Sequence, residues 1–200
     1  MTFAILAFVL HSLTNNSNSV NDLQTTFKLD SVSHYQVTVL IDFPKDCSAK
    51  SFNLTLRGLD GGHSALRLTQ KKNDSLISRT IGFYPKIEVT IFNCIQDVTS
   101  ELRDDSTREF EFSCTQTVNA VEFMSILNSI TQFRTQRFNL FRFNCIDFTL
   151  AVVNQIIELE LKKDTILGKK VNTTQQIRTG IISCAESLTR RNVCLLYTSR

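Results

Sequence analysis

Two side chains of this sequence could together carry out nucleophilic chemistry: the thiol of Cys145 in the stretch FNCIDF and the imidazole of His63 in the stretch GGHSALRL. A cysteine nucleophile needs a base that accepts its proton, and histidine is the usual one. The chain has two other histidines, but His11 lies in a predicted leader and His34 begins the first predicted strand. The residue types therefore predict a Cys145–His63 pair, provided that the fold brings the two side chains together.

The residues around Cys145 are typical of a helix N-terminus. Asn144 is a favourable N-cap, and Asp147 three residues later completes a variant of the capping box. Cys145 then takes the first helical position, where the helix dipole and the backbone N–H groups favour a thiolate. Those N–H groups, that of Ile146 among them, are also suited to bind an oxyanion that develops on a substrate carbonyl. The charge of Asp147 opposes thiolate formation unless capping occupies its carboxylate.

Two other interpretations of Cys145 stay open. Cysteine is among the most buried residue types, so Cys145 beside Ile146 and Phe148 is also typical of a core packing residue. It could instead be half of a disulfide, since the chain has six cysteines. We expect Cys145 to stay unpaired, and three pairings are open to Cys47, Cys94, Cys114 and Cys184. No C-x-x-C pair occurs and no histidine lies at zinc-ligand spacing, so no structural zinc site is predicted.

The hairpin that follows His63 predicts what lies beside the imidazole. If residues 71–74 form the turn and Gln70 pairs with Ser75, His63 lies opposite Gly82, whose missing side chain leaves room for the ring. The alternative for His63 is a structural residue that is hydrogen-bonded in the turn where its strand starts.

Two hydroxyl groups of the same hairpin are candidates for a third polar partner. Thr80 and Tyr84 flank the glycine on the same face, and either hydroxyl could orient the imidazole in a Cys–His–polar set. A register shift of one residue would give that role to Arg79 or Phe83 instead, because it turns the other side chains to this face.

The hydrophobic periodicity predicts the strands and helices that must position these groups. Hydrophobic residues recur at every second position in the first part of the chain, as in strands, and at the helical period after Val118. Strands are predicted at His34–Pro44, around 52–56, at 63–70, 75–85, 86–93 and 110–118, a charged loop at 101–107, and helices at 119–133, from Ile146 to about Leu161, and near 177–188. This order predicts an α+β fold, with an antiparallel β-sheet packed against helices.

Composition indicates one domain with tails. Of the 200 residues, 42% are hydrophobic and 20% charged, which suits a single packed core. The net charge of +3 is spread without a basic stripe among exposed aromatics, so no nucleic-acid partner is predicted. The predicted organisation is a leader or linker at 1–30, the domain at 31–165, a polar extension at 166–192, and at 193–200 a stretch, VCLLYTSR, that resembles translated sequencing adapter.

The apolar run from Phe3 to Leu10 is too short to span a bilayer, so no transmembrane segment is predicted. It has the length of a secretory h-region but lacks a basic n-region and a small-x-small cleavage site. Export and a cytoplasmic location therefore both stay open.

The order of several short motifs resembles a known clan. A Gly-His pair opens a strand in GHSALRL (62–68), and NCIDF (144–148) opens an apolar helix later in the chain. This order resembles the circularly permuted papain-like clan, which includes lecithin:retinol acyltransferase-like proteins and permuted relatives of cell-wall peptidases. It is most similar to bacterial secreted or toxin-like proteins with a GHTF, GFYP, DDS, NCTDF succession, whose counterparts here include GFYP (82–85) and DDS (104–106).

The resemblance implies a cysteine hydrolase or acyltransferase in which Cys145 is the nucleophile and His63 the base. It implies a peptide or lipid acyl substrate, with a cell-wall peptide favoured for an exported bacterial chain, and requires no metal or organic cofactor. One departure is Thr107-Arg108, where the relatives carry a histidine. Two further functions stay open: a non-catalytic ligand-binding or structural module on the same fold, and an effector or toxin domain of a longer chain.

Overall fold

The computed structural model describes residues 22–43, 62–89, 93 and 95–156, and the backbone of five short strands at 53–55, 58–60, 164–166, 169–171 and 196–199. The signal-like segment, the helix predicted near 177–188 and four cysteines lie outside the described residues; these cysteines are Cys47, Cys94, Cys184 and Cys194.

Strands dominate the first part of the described chain and helices follow. In chain order the elements are α1 (Leu23–Thr26), β1 (His34–Asp42), β2 (Asn53–Thr55), β3 (Gly58–Asp60), β4 (His63–Lys72), β5 (Ser75–Pro85), β6 (Ser100–Asp104), β7 (Phe112–Val118), α2 (Ala120–Phe133), α3 (Cys145–Val153), β8 (Asp164–Ile166), β9 (Lys169–Val171) and β10 (Leu196–Ser199).

The centre of the fold is an antiparallel sheet with the strand order β10-β7-β1-β4-β5-β6. Strand β1 lies between β4 and β7, so that Val39 pairs with both Leu66 and Cys114. Strands β2 and β3 form a separate two-stranded sheet, as do β8 and β9. The predicted α+β class, with an antiparallel sheet packed against helices, is confirmed.

Helices α2 and α3 contact each other and pack on the sheet, α2 on β1 and α3 on β4 and β5. Phe83 of β5 is fully buried, and its ring stacks on that of Phe148 of α3 with centroids 5.0 Å apart and planes 7° from parallel. Such a pair adds about 1 kcal/mol to the free energy of unfolding beyond the area that it buries. Next to it, the Ser64 hydroxyl donates to the Thr149 hydroxyl at 2.9 Å, so the polar atoms in this layer are paired. These contacts hold α3 against the strand that begins at His63.

Helices α2 and α3 both begin with a capping box, and the sequence predicted the one at α3. Asn119 accepts from two backbone N–H groups of α2, while the Glu122 carboxylate accepts from the Asn119 N–H. Asn144 and Asp147 form the same reciprocal box at α3. A cap of this kind contributes about 1 kcal/mol and defines the residue at which the helix starts.

The β4–β5 hairpin has a different register from the predicted one. Its turn is only two residues long, with Asn73 at a positive φ of 51°, and Lys72 pairs with Ser75. Asparagine tolerates this left-handed backbone, which matches the twist of a tight hairpin. Gly82 therefore lies opposite Ala65 rather than His63. The predicted four-residue turn was wrong because it left Lys71 and Lys72 out of the ladder.

Three further predictions need correction. Residues 101–104, predicted as loop, belong to β6, an edge strand whose charged residues are tolerated because only β5 pairs with it. Residues 86–89, predicted as strand, form none, since β5 ends at Pro85. The predicted leader reaches too far, because Leu23 and Phe27 are buried in the core.

Within the described part of the chain, no helix is both long and apolar enough to cross a membrane.

Candidate active site

Cys145 occupies the first turn of α3, as predicted from Asn144. The Asn144 Oδ1 atom accepts hydrogen bonds from the N–H groups of Ile146 at 2.8 Å and Asp147 at 3.2 Å. The cap thus determines where α3 begins and makes Cys145 its first residue. Cys145 is 8% exposed and is not part of a disulfide, and it also packs with the core residues around it. The Cys145 thiol is therefore not bonded to another cysteine and is almost fully covered.

His63 is the first residue of β4 and follows Gly62, whose φ of 74° is a left-handed conformation that favours glycine. Only 5% of His63 is exposed. Its Nε2 atom lies 2.9 Å from Oδ2 of Asp105. His34, the other histidine of the described residues, lies at the opposite end of β1, since it pairs with Lys71 whereas Asp42 pairs with His63.

Asp105 is the acidic partner that the sequence did not single out. It directly follows β6, and its N–H donates to the Thr80 carbonyl at 3.0 Å, which continues the pairing with β5 by one hydrogen bond. Both carboxylate oxygens are used: Oδ2 faces His63, and Oδ1 accepts from the Tyr84 hydroxyl at 2.8 Å. Asp105 is buried, and a buried carboxylate persists only with such partners. The carboxylate therefore holds the ring of His63 in one orientation.

The room that we predicted at Gly82 is used, although the register differs. A Cβ atom at Gly82 would lie 2.8 Å from Nε2 of His63 and still closer to the Asp105 carboxylate. Both distances are too short for a real side chain. The missing side chain of Gly82 thus permits the hydrogen bond between the imidazole and the carboxylate.

Of the two predicted orienting hydroxyls, Tyr84 lies at the site and acts through Asp105. Its ring stacks on that of His63, with centroids 4.5 Å apart and planes 27° from parallel. Burial, reinforced by the neighbouring Asp105, raises the pKa of Tyr84, so the hydroxyl stays a proton donor to that carboxylate. The Thr80 hydroxyl instead accepts from Nε of Arg67 at 3.2 Å, and Thr80 supports the site through its carbonyl. Neither hydroxyl bonds to the imidazole, which was the predicted contact.

The electrostatics of the site favour a charged imidazole. Burial lowers the pKa of His63, but the hydrogen bond to Asp105, followed by the hydrogen bond and charge of Cys145, raises it from 6.5 to about 9. Because Nε2 of His63 is hydrogen-bonded to Asp105, Nδ1 is the ring nitrogen that is available to the Cys145 thiol. Because its pKa is raised to about 9, the imidazole is protonated near neutral pH, beside the carboxyl group of Asp105 and the thiol group of Cys145.

The oxyanion role predicted for Ile146 needs correction, because its N–H is already donated to Asn144. The N–H of Cys145 itself has no hydrogen-bond partner among the described residues, and it belongs to the same first turn. A substrate oxyanion at this helix end would therefore bind to the N–H of Cys145.

Arg108 extends the network away from the thiol. Its guanidinium forms an ion pair with Asp42 and donates through Nη1 to the Tyr84 hydroxyl at 3.3 Å. It thus contacts Tyr84 and links it to Asp42. The described residues contain no group of three or more His, Cys, Asp or Glu side chains arranged to hold a metal ion.

Comparison of the chain with protein-family models, with curated proteins and with solved structures finds no match. The function is therefore inferred from the geometry of the site.

Proposed function

We propose that this protein is a cysteine-dependent hydrolase or acyltransferase that acts on an amide or ester carbonyl through a thioacyl intermediate. The observation that carries the proposal is the position of His63, which bonds to a buried carboxylate through one ring nitrogen and interacts with the Cys145 thiol. This is the order of a nucleophile, a base and an orienting acid.

In the first half of the reaction, the Cys145 thiolate attacks the carbonyl carbon and forms a C–S bond. The negative charge moves to the carbonyl oxygen, where the N–H of Cys145 and the dipole of α3 stabilise it. When the tetrahedral intermediate collapses, the C–N or C–O bond breaks. The imidazolium of His63 then transfers its proton to the leaving amine or alcohol.

In the second half, neutral His63 accepts a proton from water or from an acceptor nucleophile, which attacks the thioester carbon. The C–S bond breaks and the thiolate returns, with His63 again an imidazolium. Asp105 keeps the imidazole oriented and stabilises its charge in both halves, and Tyr84 holds Asp105. None of these steps requires a metal or an organic cofactor.

The resemblance to the permuted papain-like clan supports a choice of substrate class. If the fold is permuted papain-like, as the succession of GHSALRL, GFYP, DDS and NCIDF suggests, peptide and lipid acyl groups are the substrates in question. For an exported bacterial chain we favour a cell-wall peptide bond.

Alkylation of the thiol tests the proposal. We expect iodoacetamide to modify Cys145 rapidly at pH 7, as located by peptide mass spectrometry, and Cys145→Ala to remove that modification. His63→Gln, which keeps the thiol but removes the base, should slow it strongly. Modification that stays slow until the pH exceeds about 8.5, the range of an ordinary thiol, would refute the thiolate. Acyl adducts on Cys145 after incubation with peptidoglycan fragments or lipid extracts would then identify the substrate.

One observation favours a second function, a non-catalytic module on the same fold. Cys145 and His63 are 8% and 5% exposed, so little of either side chain meets solvent. In such a module the Asp105–His63 pair would have a structural role. Unreactive Cys145 in a folded protein that still binds peptidoglycan fragments would support this alternative.

A further inference from the structure

A polar cavity of about 270 Å³ lies beside His63, the proposed base. Its floor consists of Leu40, Arg67 and Ser113 from the three adjacent strands β1, β4 and β7. Arg67 alternates along β4 with the buried Leu66 and Leu68, so its side chain lies on the other face of the sheet from theirs. The volume corresponds to roughly nine water molecules, which suits one end of a ligand.

The cavity adjoins the proposed base, His63. Phe110 lines it, and the ring of Phe110 lies 6.3 Å from the ring of His63. Arg108 also lines it and donates to the Tyr84 hydroxyl at the site. A substrate that reaches from the thiol along β4 would therefore enter this cavity.

Two guanidinium groups, those of Arg67 and Arg108, and two carboxylates, those of Glu109 and Glu111, line the cavity. Arg108 is paired with Asp42, and Glu111 accepts from the Phe43 N–H at 2.7 Å. Arg67, half-buried on the floor, has no carboxylate within ion-pair distance among the described residues. Its Nε is held by Thr80, which leaves the two terminal nitrogens as a fork. A guanidinium fork matches the two oxygens of a carboxylate.

We propose that Arg67 binds a free carboxylate of the substrate, so that the enzyme prefers a peptide acyl substrate that ends in a carboxylate on the β4 side of the scissile bond. The inference rests on the proposed function and narrows its substrate class to anionic peptides. His63 and Arg67 are four residues apart on one strand, a span of about 13 Å. Allowing for the length of the arginine side chain, two or three peptide residues bridge the thiol and the guanidinium.

Iodoacetyl-alanine peptides of one to three residues, each as free acid and as C-terminal amide, test this. The rate of Cys145 alkylation by each probe is measured by intact-protein mass spectrometry. In the wild type, the acid of two or three residues should react about tenfold faster than its amide, the size of effect expected of a charge-assisted fork. Arg67→Gln should abolish that preference for the acid, whereas Arg67→Lys should retain part of it. Lys71→Gln, which removes a cation from the exposed end of the same strand, is the matched control and should retain all of it.

A ratio near one in the wild type, or a ratio that survives Arg67→Gln, would overturn the inference. If no probe alkylates Cys145, the proposed function fails, but the cavity is still testable with the unreactive acetyl-trialanine acid and amide. Amide-nitrogen NMR titration should then show binding of the acid by the wild type and its loss in Arg67→Gln. Equal binding of both peptides would reject the carboxylate site by itself.

Discussion

The pKa of His63 makes the folding stability of this protein depend on pH in a defined direction. Asp105 and Cys145 raise that pKa from 6.5 to about 9 in the folded state. The folded protein therefore binds the proton more tightly than the unfolded chain. The resulting stabilisation is fully present below pH 6.5, decreases between pH 6.5 and 9, and is lost above pH 9. At about 1.4 kcal/mol per pH unit, it amounts to about 3 kcal/mol.

The perturbation that isolates this contribution is His63→Gln, which removes the titrating group. The free energies of unfolding of wild type and variant are measured by urea denaturation from pH 6 to pH 10. We expect the difference between them to shrink by about 3 kcal/mol over this range, because only the wild type loses a bound proton. In thermal unfolding the same change corresponds to about 10 °C for a domain of this size.

Two variants make the result specific. His34→Gln changes a histidine exposed at the far end of β1, and its unfolding curve should follow that of the wild type at every pH. Cys145→Ser should retain part of the pH dependence, since it keeps the hydrogen bond to Asp105, which is the largest single cause that raises the pKa of His63. A difference between wild type and His63→Gln that stays constant from pH 6 to pH 10 would refute the ion-paired imidazolium.

Three other substitutions test the layers behind the thiol, each by the rate of Cys145 alkylation at pH 7 and by urea denaturation. Asp105→Asn keeps the shape of the side chain but removes its charge. It should therefore lower the pKa of His63 and reduce the rate of Cys145 alkylation by at least about tenfold. An unchanged rate would show that Asp105 has no role in the reactivity of Cys145. Gly82→Ala should cost about 2 kcal/mol and also slow alkylation, since the added methyl group overlaps the carboxylate, whereas a stable and fully reactive variant would contradict that overlap. Tyr84→Phe should cost about 2 kcal/mol through its lost hydrogen bond to Asp105, with a smaller effect on alkylation than Asp105→Asn; the reverse ranking would assign Tyr84 a direct role.

Local sequence patterns predicted the elements whose formation depends on near neighbours. The helical period after Val118 predicted α2 at 119–133, one residue before its observed start, and the cap at Asn144 placed Cys145 at the first helical position of α3. Capping involves side chains and N–H groups two or three residues apart, so its signal is contained in a short stretch. The same logic identified Cys145 as the first residue of a helix.

Patterns failed where a distant strand decides the outcome. The segment of β6 reads as a charged loop, because an edge strand with one pairing partner needs few apolar residues. The hairpin register depended on whether Asn73 adopts a positive φ, which sequence permits but does not require. That error of two residues was enough to place Ala65, not His63, opposite Gly82.

The sequence by itself determined the reactive pair of residue types, the helix that begins at Cys145, and the need for a glycine near the imidazole. Only the tertiary structure chose Asp105 over Asp104 as the acidic partner, because that choice depends on which carboxylate the β5–β6 pairing turns toward His63. Nothing in a stretch of neighbouring residues encodes this, since His63 begins β4 and Asp105 directly follows β6, and β5 lies between these two strands in the sheet. The chemical groups are thus local properties of the chain, while their assembly into a site is a property of the whole sheet.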